Sequence, residues 1–188
     1  MTQDDLIQFL DGINPLSDAL KAHLRAILKS KNLSKKDFLL KDGEISKNVY
    51  FIRSGLVKAY YIKDGNEICS WFMKEGDVIF SVESFYTQTP GYEYIQCLEK
   101  CSVYYISYNE LQFIYKNFIE FNFVGRILTE QYYAMSEKRL RSLRMQTAME
   151  RYLFLKQNHR DLIDRVPNRC LASYVGLREE TLSRKKKK

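Results

Sequence analysis

The stretch FNFVGRILTEQYYAMSEKRLRSLRM, residues 121–145, decides how the rest of the chain is arranged. It has no proline and a single glycine, and its apolar residues recur three, four and seven positions apart: Phe121, Val124, Leu128 and Met135. This spacing predicts one long helix with an apolar stripe. At about 1.5 Å per residue the helix would span roughly 38 Å, more than one small domain needs. We therefore expect it to run between domains or to pair with its own copy along these four residues, the alternative being a single amphipathic core helix.

A second stripe begins in the later part of the same helix. It consists of Tyr132, Ser136, Leu140 and Leu143. Because the two stripes lie on different faces, the partner of the helix is expected to change along its length.

Composition limits the class of protein. The chain has 188 residues, of which 45% are hydrophobic and 14% aromatic, so it can bury a core as one large or two small domains. No apolar run approaches the roughly 18 residues of a membrane span, and the N-terminus is acidic where a signal peptide would be basic. These features predict a cytoplasmic protein with no membrane partner.

The positive charge is concentrated at one end of the chain. Residues 135–188 hold 15 Lys and Arg against 6 Asp and Glu, a net charge of +9, whereas the first 134 residues hold 15 against 17. This asymmetry favours a polyanion that contacts only the C-terminal part. The alternative is a solvated, solubilising tail, to which the four terminal lysines contribute.

The four cysteines are Cys69, Cys97, Cys101 and Cys170. They are too scattered for a metal site with four cysteine ligands and too few for a disulfide scaffold. Cys97 and Cys101 are either a redox switch or, as is more common, two small buried side chains.

The chain divides into helical and strand-like regions. Two helices precede residue 30, with Ser17 or Asp18 as a capping residue of the second. Residues 30–107 form short segments rich in Val, Ile, Tyr and Phe, which predict a β domain of six to eight strands, a sandwich or a barrel, with a tight hairpin at residues 63–66. Helices follow at residues 108–118, 121–145 and 146–158. A turn-like segment at 159–168 then leads to a final helical pair that starts at Pro167.

The final pair has the spacing of a helix-turn-helix. Ala172, Gly176 and Leu182 supply the small residue at the helix crossing, the left-handed turn residue and the apolar anchor of the second helix. Leu171, Val175 and Leu177 complete the inner face. The alternative is an ordinary helical hairpin with a basic end.

The second helix of this pair would turn polar side chains outward. Arginine can bind guanine O6 and N7, and glutamate can accept a hydrogen bond from cytosine N4. The predicted base-contacting residues are Arg178, Glu180, Thr181, Ser183 and Arg184. Arg169 and Lys185–Lys188 are predicted to contact phosphates, which strengthens binding without reading sequence.

These segments resemble the Crp/Fnr family of bacterial transcription regulators over nearly the full length. The matching blocks are residues 41–44 (KDGE), 50–57 (YFIRSGLV), 76–79 (GDVI), and 171–176 (LASYVG) together with 180–184 (ETLSR). The resemblance implies an α+β fold with N-terminal helices, an antiparallel β-roll (a double-stranded β-helix of the cyclic-nucleotide-binding type), a long dimerisation helix and a small helix-turn-helix domain. It divides the chain into a sensor domain at 1–120, the dimerisation helix at 121–145 and a DNA-binding domain at 146–188.

The resemblance also implies a function. It indicates a homodimeric, sequence-specific DNA-binding transcription regulator in which Glu180 and Arg184 read the major groove. Glu179 stands where the family often has arginine, so a different operator is expected. The implied partners are double-stranded DNA, a second copy of the chain, RNA polymerase and a small-molecule effector. The alternative is a small-molecule-binding or interaction module without specific DNA recognition. An enzyme is not predicted, because the sequence shows no nucleophile–base pair, phosphate loop or metal-ligand spacing.

The sequence departs from the family at the ligand site. Family members that bind cyclic AMP carry Gly-Glu and Arg-Ser or Arg-Thr where this chain has Phe80-Ser81 and Gly91-Tyr92, so cyclic AMP is not expected. No cysteine precedes Cys69, which excludes the family's N-terminal iron–sulfur cluster. Any effector is therefore of unknown class. Its predicted pocket, for which a filled and inert interior is the alternative, is lined by Phe80, Ser81, Glu83, Tyr86, Glu93 and Tyr94.

The DNA-binding segment also departs from the family. Lys185 occupies a position that is usually apolar, and no β-hairpin wing follows the recognition helix in this sequence. We expect both features to weaken DNA binding without removing the helix-turn-helix.

Overall fold

The computed structural model describes residues 2–186, except for the side chain of Lys186. The predicted phosphate contacts of Lys186, Lys187 and Lys188 therefore lie outside the described residues. The helices are α1 (Gln3–Ile13), α2 (Asp18–Ile27), α3 (Val82–Thr87), α4 (Tyr108–Asn117), α5 (Ile119–Met145), α6 (Ala148–Asn158), α7 (Arg160–Arg165), α8 (Asn168–Val175) and α9 (Glu179–Lys186). The strands are β1 (Lys29–Leu33), β2 (Phe38–Leu40), β3 (Asn48–Ser54), β4 (Val57–Lys63), β5 (Asn66–Met73), β6 (Val78–Ile79), β7 (Tyr94–Cys97) and β8 (Cys101–Ser107).

The strands form the predicted antiparallel β-roll. One sheet has the order β1-β8-β3-β6 and the other β2-β7-β4-β5, and all pairings within them are antiparallel. The hairpin prediction is confirmed, because Lys63 pairs with Asn66 while Asp64 and Gly65 have φ angles of 51° and 75°. Apolar side chains of the two sheets meet in one buried cluster that includes Ile52, Val57, Ile95 and Val103.

Side-chain caps set several boundaries between strands and helices. The Leu20 amide donates to Ser17 Oγ at 3.3 Å, so Ser17 rather than Asp18 caps α2. At the end of β8, Ser107 and Glu110 form a reciprocal capping box that starts α4 immediately. The roll therefore passes directly into the helices that carry α5.

The long helix is confirmed, but its two halves have different surroundings. It begins at Ile119, two residues before the predicted start, and ends at Met145. Phe121 and Val124 are 6% and 0% exposed and pack in a cluster with residues of α1, α2 and α4. These two side chains are covered by their own protomer and are not available to pair with a second copy.

The segment at 159–168 differs from the turn that the sequence predicted. It contains the short helix α7, whose Ile163 is buried in the same cluster as Tyr152 and Val166. A helix of this length is unstable alone, so tertiary burial rather than local propensity forms it. The same cluster joins α6–α9 to Leu56, Tyr60, Cys69 and Phe72 of the β-roll.

Candidate nucleic-acid interface and ligand cavity

The turn between α8 and α9 has the geometry that the sequence predicted. Gly176 has a φ of 76°, and the Leu177 amide donates to the Ala172 carbonyl at 2.9 Å, which closes the C-terminus of α8. A β-carbon at Gly176 would lie 3.0 Å from Arg151 Nη2. Both the left-handed backbone and the close approach therefore favour glycine here.

The inner face of the pair is anchored as predicted. Leu182 of α9 is completely buried in one cluster with Leu171, Ala172 and Val175 of α8. Because α9 has only eight residues, this burial rather than helix propensity holds it in place.

The opposite face of α9 presents polar side chains. Glu180 and Arg184 are exposed, lie one turn apart, and project away from Leu182 at about 100° per residue. Thr181, which is exposed, and Ser183, which is half-buried, flank them, while Arg178 precedes the helix. We call Arg178, Glu180, Thr181, Ser183 and Arg184 the reading surface. The predicted phosphate-contacting residues Arg169, in the first turn of α8, and Lys185 are also exposed.

Three arginines of the basic region serve the fold instead. Arg139 Nη2 donates to the Tyr174 carbonyl at 2.5 Å, and its guanidinium lies 3.6 Å from the centre of the Tyr174 ring. Arg151 donates to the carbonyls of Val175 at 3.0 Å and Gln146 at 2.5 Å, near the C-termini of α8 and α5. In the sequence, these arginines count as positive charge that could attract a polyanion. The fold shows that they bind backbone carbonyls instead.

Arg165 is the third of these arginines, and it links the C-terminal helices to the β-roll. It donates to Glu75 at 2.9 and 3.0 Å and to Glu99 at 2.5 Å. Hydrogen bonding from Arg165 lowers the pKa of Glu75 to about 2. Lys74 and Asp161 form a further ion pair between the same two regions.

A cavity of about 610 Å³ lies between the β-roll and α5. Of the predicted pocket residues, Phe80, Ser81, Glu83 and Tyr86 line it. Tyr94 does not, because its ring stacks on Tyr60 at 4.9 Å within the cluster that faces the C-terminal helices. Neighbouring residues of an extended chain point to opposite faces, and Glu93, which was also predicted to line the pocket, does line the cavity.

Glu93 is the buried polar group of this cavity. It is only 7% exposed and accepts a hydrogen bond from Ser70 Oγ at 3.3 Å. Burial raises the pKa of Glu93, while hydrogen bonds from Ser81, Tyr61 and Ser70 oppose the rise. A buried acid of this kind holds its proton to a higher pH than an exposed one.

The cavity provides no positive charge. Among the described residues, those that line it include no lysine, arginine or histidine. Most of the lining is apolar and aromatic, with Trp71 and Met73 from β5 and Leu128 and Tyr132 from α5. Tyr132 also binds the roll directly, since its hydroxyl accepts from the Val78 amide at 2.7 Å. One wall of the cavity is thus the long helix itself.

The described residues hold neither a metal site nor a membrane span. Within residues 2–186, no group of three or more His, Cys, Asp and Glu side chains is placed to hold a metal ion. None of the helices in the described part of the chain is long and apolar enough to cross a membrane.

Comparison with known proteins agrees with this architecture. The sequence model of the cyclic nucleotide-binding domain matches residues 30–118. FixK2 from Bradyrhizobium japonicum is similar with 24% identity and a TM-score of 0.69, over 84% of this chain and 82% of that one. No curated protein matched the sequence.

Two other solved structures are similar over most of their length. A putative Crp/Fnr-family transcriptional regulator from Eubacterium rectale has 14% identity and a TM-score of 0.70, over 91% of this chain and 82% of that one. CLP of Xanthomonas campestris, described as a c-di-GMP-responsive global regulator, has 17% identity and a TM-score of 0.63, over 89% of both chains. Residues 30–118 therefore match the cyclic nucleotide-binding domain, and the chain has the fold seen in Crp/Fnr transcriptional regulators.

Proposed function

We propose that this protein is a homodimeric, sequence-specific DNA-binding transcription regulator. The observation that carries the proposal is the reading surface. Glu180 and Arg184 project into solvent from a short helix that is fixed by Leu182 and by the Gly176 turn. In this arrangement the two side chains can reach base edges in a major groove, while Arg169 and Lys185 contact phosphates.

The dimer interface that we propose lies in the later half of α5. Tyr133, Leu140 and Leu143 are 67%, 41% and 47% exposed and lie seven and three residues apart. With Ser136 they follow a heptad pattern, which suits two helices packed side by side. Met135, predicted from the sequence, is 42% exposed and remains accessible beside them. Leu128 lines the cavity, and Tyr133 and Ser136 of the proposed interface line it as well. Pairing along this stripe would place two reading surfaces on half-sites about 34 Å apart, with RNA polymerase as a further partner.

We also propose that the cavity binds an effector, and that residues 1–120 act as its sensor domain. Without a cationic lining side chain, a phosphate would be desolvated without compensation, so the ligand is uncharged or cationic and largely apolar. Glu93 would accept a hydrogen bond from it or pair with its charge. Because Tyr132 joins α5 to β6 at the cavity wall, a ligand that displaces this contact would shift α5 and, with it, residues 146–188.

The DNA proposal is tested by selection of random duplex DNA with the purified full chain. The expected product is a palindrome with half-sites about ten base pairs apart. Arg184→Ala should weaken binding to it by about 1–3 kcal/mol and relax the preference at one position in each half-site, as should Glu180→Ala. Arg25→Ala is the matched control, because Arg25 is a surface arginine paired with Asp4 in the N-terminal helices.

Enrichment of no sequence, with binding that falls steeply as salt is raised, would contradict the proposal. The protein would then be a ligand-binding or interaction module whose basic end attracts DNA only through nonspecific electrostatic interactions.

The cavity proposal has a separate test, because Trp71, which lines the cavity, is the single tryptophan of the chain. The neutral apolar dye Nile red should quench its fluorescence saturably, and cyclic AMP should not. Quenching by cyclic AMP but not by the dye would overturn the assigned ligand class.

A further inference from the structure

Two cysteines that are far apart in sequence meet where α8 packs on β5. Cys69 of β5 is 3% exposed and Cys170 of α8 is 7% exposed, and both belong to the cluster that joins the β-roll to the C-terminal helices. Both side chains lie at the contact between α8 and β5. Neither residue belongs to the reading surface or lines the cavity.

Backbone and hydroxyl contacts hold these cysteines side by side. The Cys69 amide donates to Ser173 Oγ at 3.0 Å, and that hydroxyl donates to the Glu67 carbonyl at 2.7 Å. Ser173 lies three residues after Cys170, on the same face of α8. The contact therefore fixes the register of α8 on β5 at the position of the thiols.

The surroundings of Cys170 favour its thiolate. The pKa of Cys170 is lowered to about 7, first by the hydrogen bond from the Cys69 thiol and then by the charges of Lys58 and Arg169, against the effects of burial and Glu67. The Lys58 side chain is itself buried and forms an ion pair with Glu67 beside the two sulfurs. Cys170 also lies in the first turn of α8, where the helix dipole favours negative charge.

We propose that Cys69 and Cys170 form a reversible disulfide that joins the β-roll to the helix-turn-helix when the protein meets a hydroperoxide. The Cys170 thiolate attacks the terminal peroxide oxygen, the O–O bond breaks, and Cys170 becomes a sulfenic acid while the oxidant leaves as water or an alcohol. The Cys69 sulfur then attacks the Cys170 sulfur. The S–S bond forms, the S–O bond breaks, and the hydroxyl leaves as water with the Cys69 proton.

The buried position of the pair determines when this reaction occurs. A hydroperoxide reaches the thiols when α8 lifts briefly from β5, and the closed contact then brings Cys69 to the sulfenic acid. The resulting bond fastens α8 to β5. Because Arg178, Glu180, Thr181 and Arg184 are exposed while α8 is docked, the bond fixes the direction in which the reading surface points rather than covering it.

Cys97 and Cys101 provide an internal comparison. They lie at the two ends of the turn between β7 and β8, and Cys101 Sγ donates to the carbonyls of Glu99 at 3.3 Å and Leu56 at 3.5 Å. A disulfide between Cys97 and Cys101 would close only the turn between β7 and β8 and would not link the roll to the C-terminal helices.

The test uses the reduced full chain treated with one equivalent of hydrogen peroxide. Remaining thiols are alkylated, the protein is digested without reductant, and cross-linked peptides are identified by mass spectrometry. We expect the peptides of Cys69 and Cys170 to be linked, and the link to be reversed by dithiothreitol. It should persist in the double variant Cys97→Ala with Cys101→Ala and be lost in Cys69→Ala.

The wild-type protein decides the outcome, so a variant that fails to fold does not affect it. Recovery of Cys69 and Cys170 as alkylated peptides after oxidation, or a link only between Cys97 and Cys101, would overturn the proposal. DNA binding plays no part in this measurement, and its result is independent of the proposed regulatory function.

Discussion

The ligand cavity and the reading surface are opposite in nearly every physical property. The cavity is lined mainly by aromatic and apolar side chains, together with the acidic residues Glu83 and Glu93. The reading surface is open and polar, and basic residues such as Arg169 and Lys185 flank it. The difference teaches that one chain can carry two surfaces of opposite electrostatic character, because desolvation dominates in an apolar interior and long-range attraction dominates at an open basic surface.

The largest effect is expected from a variant that destabilises the helix carrying the reading surface and leaves the cavity intact. Leu182→Ala removes the buried anchor of α9 and should lower the free energy of unfolding by about 2–5 kcal/mol. Denaturant unfolding followed by circular dichroism measures it. Arg184→Ala, at an exposed position of the same helix, is the control and should stay within about 0.5 kcal/mol of wild type. A change in native Trp71 fluorescence in the Leu182 variant would show that the two sites are not separable.

A second variant changes the cavity and leaves the reading surface intact. Because the pKa of Glu93 is raised in the folded protein, the unfolded chain releases this proton at a lower pH than the folded protein does. The protonated group thus contributes stability below its unfolded pKa of about 4.5, and this is lost as pH rises through the higher folded pKa. Unfolding measured against pH should show this loss in wild type. Glu93→Gln should lack it, and equal pH profiles for the two proteins would contradict the assignment.

A third variant tests how a basic residue beside the reading surface contributes to DNA binding. Lys185→Ala should weaken binding to all DNA sequences alike and reduce the slope of log K against log salt by about one. Filter binding or fluorescence anisotropy at several salt concentrations measures the slope. A change in sequence preference would instead place Lys185 among the base-reading residues.

The smallest expected effect concerns the ion pair between Arg165 and Glu75, which joins the C-terminal helices to the β-roll. Since Arg165 lowers the pKa of Glu75 to about 2, their pairing adds stability above the unfolded pKa of about 4.5 and loses it as pH falls toward 2. Both side chains are partly exposed, so solvent screening holds the contribution to about 1 kcal/mol or less. The protection factors of the α7 amides, which correct for the pH dependence of the intrinsic exchange rate, should fall over this pH range in wild type, and Glu75→Gln should show the lower protection already at neutral pH.

Much of the fold could be predicted because local patterns and the fold agree. The Asp64-Gly65 turn, the Ser17 cap and the apolar periodicity of α5 are local properties, and each appears in the structure. The short helix α7 was missed because burial of Ile163, rather than its own sequence, stabilises it.

The candidate site was predictable to a lesser extent. Residue type and spacing identified Gly176, Leu182 and the outward positions of α9, because one helical turn determines which side chains share a face. Tyr94 was wrongly placed in the predicted pocket beside Glu93, because neighbouring residues in an extended segment point to opposite faces. Arg139, Arg151 and Arg165 could not be separated from the other basic residues, since their partners are carbonyls and carboxylates distant in sequence.

The sequence by itself determined a region of short strands, the long helix and the helix-turn-helix spacing, because these depend on neighbours within a few residues. Only the tertiary structure decided which half of α5 is buried, where the cavity lies, and that Cys69 meets Cys170. These features depend on how separate elements pack, and packing brings together residues whose pairing no local period encodes.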